Sequence, residues 1–335
     1  VSRLRKAAFA GIALLGGLGL ALLGVELGVR EVDPLIRVQR VRTSEGVAFH
    51  GDGGDLYWRL TRPQQDRVLD GCPAGAAGPR VLVQGSSILY GSRVAPEEAP
   101  GPGLRAALAA RGVDEPCVVN FSLPASSYAT QRALLADQPE TAARVLLWEL
   151  WQNSRNTFVR TGDVAWNFGP LELGPHGVPD PFGLGAAAPW LLARSQAYTW
   201  ISLTRAPRRA RGVPVQEIWA EFAPTFVDGA LAEAERRGAR LVVASFPGLS
   251  EPFSEQLDAN ARAYGPVLSL LRERGVPVVE MDRALIGQDP VALRADPCCH
   301  YNPDGVQVVS GILADAIVPM LAPEPNAGPT AAAPD

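Results

Sequence analysis

A short apolar run, Val81-Leu82-Val83, stops at Gln84-Gly85 and delivers two hydroxyls, Ser86 and Ser87, ahead of a second glycine at Gly91. An uninterrupted apolar run bounded by a turn is the pattern of a strand buried on both faces, and such strands belong to parallel sheets. Parallel strands cannot be joined by tight hairpins, so each needs a crossover, usually a helix. This one feature therefore commits the chain around it to alternate strands with helices. It does so. Apolar runs recur at Cys117-Val118-Val119, at Val145-Leu146-Leu147-Trp148, from Arg240 to Phe246 and from Pro277 to Met281. Helical stretches fall between them, around Leu104 to Ala110 and Thr130 to Ala136, and ahead of glycine stops at Gly238 and Gly275. The expectation is an α/β fold, a parallel sheet with helices on both faces.

In open α/β sheets ligands bind beyond the carboxyl ends of the strands, so the residues that follow each run are the candidates for chemistry. They are Ser86-Ser87, then Asn120-Phe121-Ser122-Leu123-Pro124-Ala125, then Glu149-Leu150-Trp151-Gln152-Asn153-Ser154, and late in the chain Asp296-Pro297-Cys298-Cys299-His300-Tyr301-Asn302-Pro303. A serine hydroxyl is a weak nucleophile at neutral pH; it needs a base within reach and donors aimed at the developing oxyanion. Of the three histidines, His50 lies in a polar segment and His176 in a Gly/Pro-rich one, whereas His300 sits just ahead of a helix that begins at Pro303-Asp304-Gly305. Position selects His300. Ser86 and Ser87 share one turn and stand as rival nucleophiles. The turn is not a Gly-x-Ser-x-Gly elbow, because Leu89 occupies the place of its second glycine.

Taken in order, these four blocks resemble the SGNH (GDSL-type) hydrolase family over residues 79–321. The resemblance implies a three-layer α/β/α sandwich with a five-stranded, parallel, flavodoxin-like sheet in the order 2-1-3-4-5. It implies Ser87 as the nucleophile and His300 as the base, oriented by Asp296. The backbone N–H groups of Ser87 and Ala125 and the Asn153 amide would form the oxyanion hole, with no cofactor and no metal. Ser86 stands where the family has Asp, Ala125 where it has Gly, and Trp151-Gln152 and Ser154 replace Gly-x and Asp around Asn153. Asp296 precedes His300 by four residues where the family has three, so the loop Pro297-Cys298-Cys299 must bulge to bring the carboxylate round. The implied activity is ester hydrolysis through an acyl-enzyme, on an ester-bearing small molecule or on the O-acyl groups of a surface glycan or lipid. Two alternatives stay open. One is an O-acyltransferase, in which a hydroxyl of an extracytoplasmic polysaccharide replaces water; the other is a non-catalytic glycan-binding protein on a degenerate hydrolase fold.

The flanks have other compositions. After Arg3, Arg5 and Lys6, the stretch from Ala7 to Val25 carries no charge, and at ~1.5 Å per residue it makes a helix of about 28 Å, close to the thickness of a bilayer core. No Ala-x-Ala cleavage signal follows, so residues 1–30 are expected to be an uncleaved transmembrane anchor. Arg30, Arg37, Arg40 and Arg42 outnumber the basic residues before the span, so the positive-inside count does not favour an outward domain. The family resemblance is what implies a cytoplasmic amino end and a catalytic domain in the periplasm or at the cell surface. Residues 31–78 read as a polar strap with a short strand at Leu56 to Leu60. Between residues 154 and 214, Gly169-Pro170, Gly174-Pro175, Pro179 and Pro181 break any regular element, while Trp166, Phe168, Trp190, Tyr198 and Trp200 supply apolar bulk. That composition suggests a cap-like insertion. Residues 322–335 are Pro/Ala-rich and expected to be disordered.

A net charge of −4 and a pI near 5.6 leave no electrostatic footprint for nucleic acid. Four cysteines are too few for a disulfide scaffold. Cys117 reads as a small core residue, and a bridge from Cys72 to Cys298 or Cys299 is the alternative to free thiols. Zinc at Cys298-Cys299-His300 is disfavoured, since contiguous ligands converge poorly on a tetrahedron.

Overall fold

The computed structural model describes residues 78–124, 142–152 and 215–321, shorter stretches at 16–17, 20–21, 23–28, 47–49, 56–58, 156–161, 164–170 and 182–185, and isolated positions between 72 and 201. The chain divides into two compact units, one formed by Leu60–Asn156 with Val213–Asp335 and the other by Val1–Arg59 with Thr157–Gly212.

Among the described residues the first unit contains a sheet of five parallel strands: β1 (Arg80–Gln84), β2 (Cys117–Asn120), β3 (Val145–Leu150), β4 (Arg240–Ser245) and β5 (Val278–Glu280). Their spatial order is β2-β1-β3-β4-β5, the flavodoxin-like arrangement that the family resemblance implied. The unit's helices with fully described bounds are α1 (Ser87–Tyr90), α2 (Pro100–Ala109), α3 (Val215–Arg236), α4 (Phe253–Glu273), α5 (Met281–Ala284), α6 (Pro290–Leu293) and α7 (Pro303–Leu321), and the described positions Tyr128, Gln131, Arg132 and Leu135 are also helical. Successive side chains of a strand point to opposite faces, and both faces here are apolar. Val81, Val83, Val145, Leu147, Val242 and Ala244 pack on α2 and α7 through Leu104, Leu108, Leu313 and Ile317. Leu82, Leu146, Trp148 and Val243 pack on α3 and α4 through Trp219, Phe226, Val267 and Leu271. Two cores on one sheet make the three layers. The register sets Val83 opposite Asn120 and Gln84 opposite Trp148, so the chemistry-bearing ends of β1, β2 and β3 lie side by side.

Among the described residues α7 has the length and apolarity of a membrane span, but its composition has a local cause. Val306, Val309, Leu313, Ala314 and Ile317 are buried against the sheet.

Three expectations are corrected. Cys117, although buried, is not a free core thiol: it is disulfide-bonded to Cys72. The proposed bridge from Cys72 to Cys298 or Cys299 does not form, and those two neighbours pair with each other. Cys117 opens β2 at the amino end of the sheet, while Cys298 and Cys299 belong to the loop at its carboxyl end. The insertion is also not devoid of regular elements. Asn156–Thr161 and Val164–Pro170 form a two-stranded sheet, a period-2 pattern visible in Val164, Trp166 and Phe168.

In the second unit Val47–Phe49 pairs antiparallel with Leu56–Trp58. The described positions between 16 and 28 are helical, and Leu20, Leu23, Val25 and Leu27 are each more than half exposed. Glu26 on that helix accepts hydrogen bonds from the Ser195 hydroxyl at 2.9 Å and the Ala197 N–H at 3.0 Å. The Phe182 and Tyr198 rings lie 6.0 Å apart, so these aromatics of the insertion pack on each other. His50, His176, Trp190, Trp200 and the tail after Leu321 fall outside the described residues.

Candidate active site

β1 ends at Gln84, Gly85 turns the chain, and Ser86 takes up the extended backbone of a helix N-cap before the single turn of α1. Ser87 is the first residue of that turn, so its N–H has no intrahelical acceptor. Gly91 closes the turn at φ 75°, in the left-handed region, and a Cβ there would lie 2.7 Å from Pro100 Cδ; glycine alone fits both constraints.

The loop that carries His300 is closed on itself. Arg294 and Tyr301 form an antiparallel bridge, and the Ala295 N–H bonds the His300 carbonyl at 2.8 Å. Asn302 then caps α7, its side-chain oxygen accepting from the Gly305 N–H at 2.8 Å. Inside this loop Asp296 Oδ1 accepts the N–H groups of Cys298 at 3.0 Å and Cys299 at 3.2 Å. The extra residue between Asp296 and His300 is absorbed there, as a turn wound around the carboxylate. Asp296 Oδ2 lies 2.5 Å from His300 Nδ1, and His300 Nε2 lies 2.8 Å from Ser87 Oγ. Ser87, His300 and Asp296 are thus brought into one chain of hydrogen bonds. Ser86, the rival, is buried and faces the other way.

Burial alone would raise the Asp296 pKa, but the hydrogen bonds from His300 and the Cys299 N–H outweigh it and hold the carboxyl well below the usual carboxylate range. Asp296 is therefore ionised at working pH. Arg93 Nε approaches the same Oδ2 at 3.3 Å from the solvent side.

Beneath Ser87 lies a group that the family resemblance did not mark. Glu149, on β3, is fully buried and accepts from the Ser86 hydroxyl, from the Ser86 N–H at 3.0 Å and from the Leu89 N–H at 3.2 Å. Burial pushes its pKa up to about 7, against the opposing pull of the bonds from Ser86 and Leu89. The signal was in the sequence: a lone carboxylate inside the apolar run Val145-Leu146-Leu147-Trp148-Glu149-Leu150. A buried polar residue is the informative exception in such a run.

The loops after β2 and β3 are tied to the same turn. The Leu123 N–H and the Ser126 hydroxyl both donate to the Gly85 carbonyl, at 3.0 and 3.1 Å. Gln131 Nε2 donates to the Ser126 hydroxyl and Trp148 Nε1 to Gln131 Oε1, at 3.2 and 2.7 Å, so the loop after β2 is braced from the sheet. Asn120 Nδ2 donates to the Leu89 carbonyl at 2.7 Å. After β3, the Ser154 hydroxyl accepts the Trp151 N–H and the Ser154 N–H returns to the Trp151 carbonyl, at 2.9 and 2.7 Å. Trp151 and Ser154 are both buried, so these two of the residues that depart from the resembled pattern brace the turn. Ala125 and Asn153 themselves lie outside the described residues.

Asp296, Cys299 and His300 bring ligating atoms within 4.8 Å of one another. They do not offer a free ligand set, because the Cys299 sulfur is bonded to Cys298 and both imidazole nitrogens are engaged.

No family model matches the chain, and no curated protein matches it. Among solved structures it is similar to an aryl esterase of M. Smegmatis in an inhibitor-bound form, with 13% identity over 72% of this chain and 99% of that one and a TM-score of 0.42. It is similar to a lipase/acylhydrolase from Enterococcus faecalis, with 12% identity over 73% and 98% of the two chains and a TM-score of 0.41. It is also similar to a member of the lipolytic protein G-D-S-L family from Veillonella parvula, with 9% identity over 70% and 96% and a TM-score of 0.38. Likeness at this level is silent on activity and substrate.

Proposed function

We propose that this chain is a serine ester hydrolase working through an acyl-enzyme on Ser87. The observation that carries the reading is the relay of 2.8 Å from Ser87 Oγ to His300 Nε2 and 2.5 Å from His300 Nδ1 to Asp296 Oδ2. Ser87 Oγ attacks the ester carbonyl carbon while His300 Nε2 takes the hydroxyl proton. The ionised Asp296 fixes the imidazole tautomer and stabilises the imidazolium. The Ser87 N–H, with the Ala125 N–H and the Asn153 amide, receives the developing oxyanion. His300 then gives its proton to the departing alkoxide, leaving the acyl group on Ser87. A water, deprotonated by the same imidazole, attacks the acyl carbon and releases the carboxylic acid and free Ser87.

The enzyme is assigned residues 79–321, interrupted by the insertion at 154–214 and preceded by a membrane anchor at 1–30 and a strap at 31–78. The uncharged stretch from Ala7 to Val25 and the exposed Leu20, Leu23 and Leu27 on a helix support the anchor. The Cys72–Cys117 disulfide favours an oxidising compartment and hence an extracytoplasmic catalytic domain. An enzyme so placed meets esters at a surface, which favours O-acyl groups of glycans or lipids as substrates.

The test is labelling of the full chain, in detergent, with a fluorophosphonate, followed by peptide mapping. The adduct is expected on Ser87 and absent from Ser87→Ala. An adduct on Ser86, or no labelling of the folded protein, would overturn the reading.

A further inference from the structure

Helix α1 begins without the usual local cap. In a capping box the N-cap serine hydroxyl accepts the N–H three residues on, and a glutamate at that third position reaches back to the N-cap N–H. Here the N-cap Ser86 makes no such bond, and the third helical position is Leu89. Both backbone donors are nonetheless satisfied: the Ser86 N–H and the Leu89 N–H converge on Glu149 Oε2. The Ser86 hydroxyl donates to Glu149 Oε1. One carboxylate, arriving from the neighbouring strand, thus does the work of both halves of a capping box. Gly85 makes room for it, since a Cβ there would lie 2.5 Å from Glu149 Oε2 and 2.9 Å from Glu149 Cβ.

We infer that Glu149 is the positioning residue of the nucleophile: by capping α1 from β3 it fixes the direction in which Ser87 leaves the sheet and so its reach to His300. The inference rests on Ser87 being the nucleophile. The four-residue helix is too short to hold its own geometry, because isolated helices of fewer than ~12 residues are marginal. Removing both donors' acceptor would leave two N–H groups buried and unpaired, so the turn would move to find others. The capping needs acceptor oxygen at one position, not charge. A glutamine can present its amide oxygen to the two N–H groups and its NH2 to the Ser86 hydroxyl, which accepts as readily as it donates.

The experiment compares the full-length protein with Glu149→Ala, Glu149→Asp and Glu149→Gln, reading fluorophosphonate labelling rate at Ser87 and the kcat and KM for an activated ester. Glu149→Ala is expected to slow labelling and kcat by roughly 10²-fold, the scale of a misplaced reacting group, with KM little changed. Glu149→Asp keeps the charge and loses the reach, so it should be slowed likewise, and it carries the test if Glu149→Ala does not fold. Glu149→Gln should recover most of the rate. Labelling of Glu149→Asp at the wild-type rate would overturn the inference, as would a Glu149→Gln as slow as Glu149→Ala. A wild-type protein that is not labelled at Ser87 would instead remove the reading on which the inference rests.

Discussion

The two carboxylates of the site support the two sides of the relay by opposite means. Glu149 reaches across 63 residues of sequence to Ser86 and 60 to Leu89, lies fully buried, and meets neutral donors. Asp296 takes its closest bond from His300, four residues on, is partly exposed, and meets an imidazole and, from the solvent side, the guanidinium of the distant Arg93. Desolvation wins at Glu149 and raises its pKa to about 7; hydrogen bonds and the imidazole win at Asp296 and depress it. The lesson is that a carboxylate's surroundings decide its task. In the proposed mechanism one holds backbone in place and tolerates neutrality, and the other orients a charge and must stay ionised.

The relay joins the two sides, so the largest effects should come from cutting it where they meet. Ser87→Ala and His300→Ala are each expected to lower kcat by on the order of 10⁶, the cost of losing one member of such a unit. The double variant should be no worse than either single one. A double variant slower than both would show that the two halves act independently and break the comparison.

The next effect separates the carboxylates by one shared change, from acid to amide. Asp296→Asn is expected to lower kcat by about 10⁴, because an amide cannot stabilise the imidazolium and favours the wrong tautomer. Glu149→Gln keeps the acceptor oxygen and should cost far less. Steady-state kinetics of the two side by side would make the contrast quantitative. Equal losses would mean that both carboxylates act as charges.

How legible each side was follows from the range of its contacts. The His300 loop is local: Asp296, Cys298, Cys299 and His300 are neighbours in sequence, and even the required bulge was readable from the four-residue spacing. The parallel sheet followed from the alternation of apolar runs with helical stretches, whereas the strand order came only from what the family resemblance implies. The Ser87 side is not local. Nothing within Gly85 to Gly91 reveals that Ser86 would forgo capping, because the substitute acceptor comes from another strand whose register only the folded sheet defines. The disulfides failed to be legible for the same reason. Cys72 had three possible partners in sequence, and only the placement of Cys117 at the amino end of β2 selects one.

Stability as a function of pH gives a third contrast. Glu149 has an ordinary pKa of 4.5 that the fold raises to about 7, so the folded state holds a proton that the unfolded state has lost between those values. Stability attributable to this group is therefore greatest below about pH 4.5 and declines as pH rises to about 7, by about 3 kcal/mol at most. The nearby buried Tyr301 phenol stays protonated throughout, its own pKa raised by burial and by the Glu149 charge. Glu149→Gln removes the titration. Denaturant melts should find the variant more stable than wild type at pH 8 and indistinguishable from it near pH 4.5. A constant difference across that range would show that Glu149 does not change protonation on folding.

The smallest effect concerns the partner that Asp296 shares. Arg93 Nε and His300 Nδ1 both address Oδ2, at 3.3 and 2.5 Å, but the Arg93 side chain is 61% exposed. An exposed ion pair is worth about 0.2–1 kcal/mol because water and salt screen it and long side chains lose entropy in making it. The depression of the Asp296 pKa is also traced to His300 and the loop N–H groups rather than to Arg93. Arg93→Ala should therefore lower kcat by no more than about fivefold, and the difference from wild type should shrink as ionic strength rises and the screening length falls below about 10 Å. A loss as large as that of Asp296→Asn, unchanged by salt, would place Arg93 inside the relay and make the Asp296 side a three-group assembly. The contrast with the neutral surroundings of Glu149 would then be sharper still.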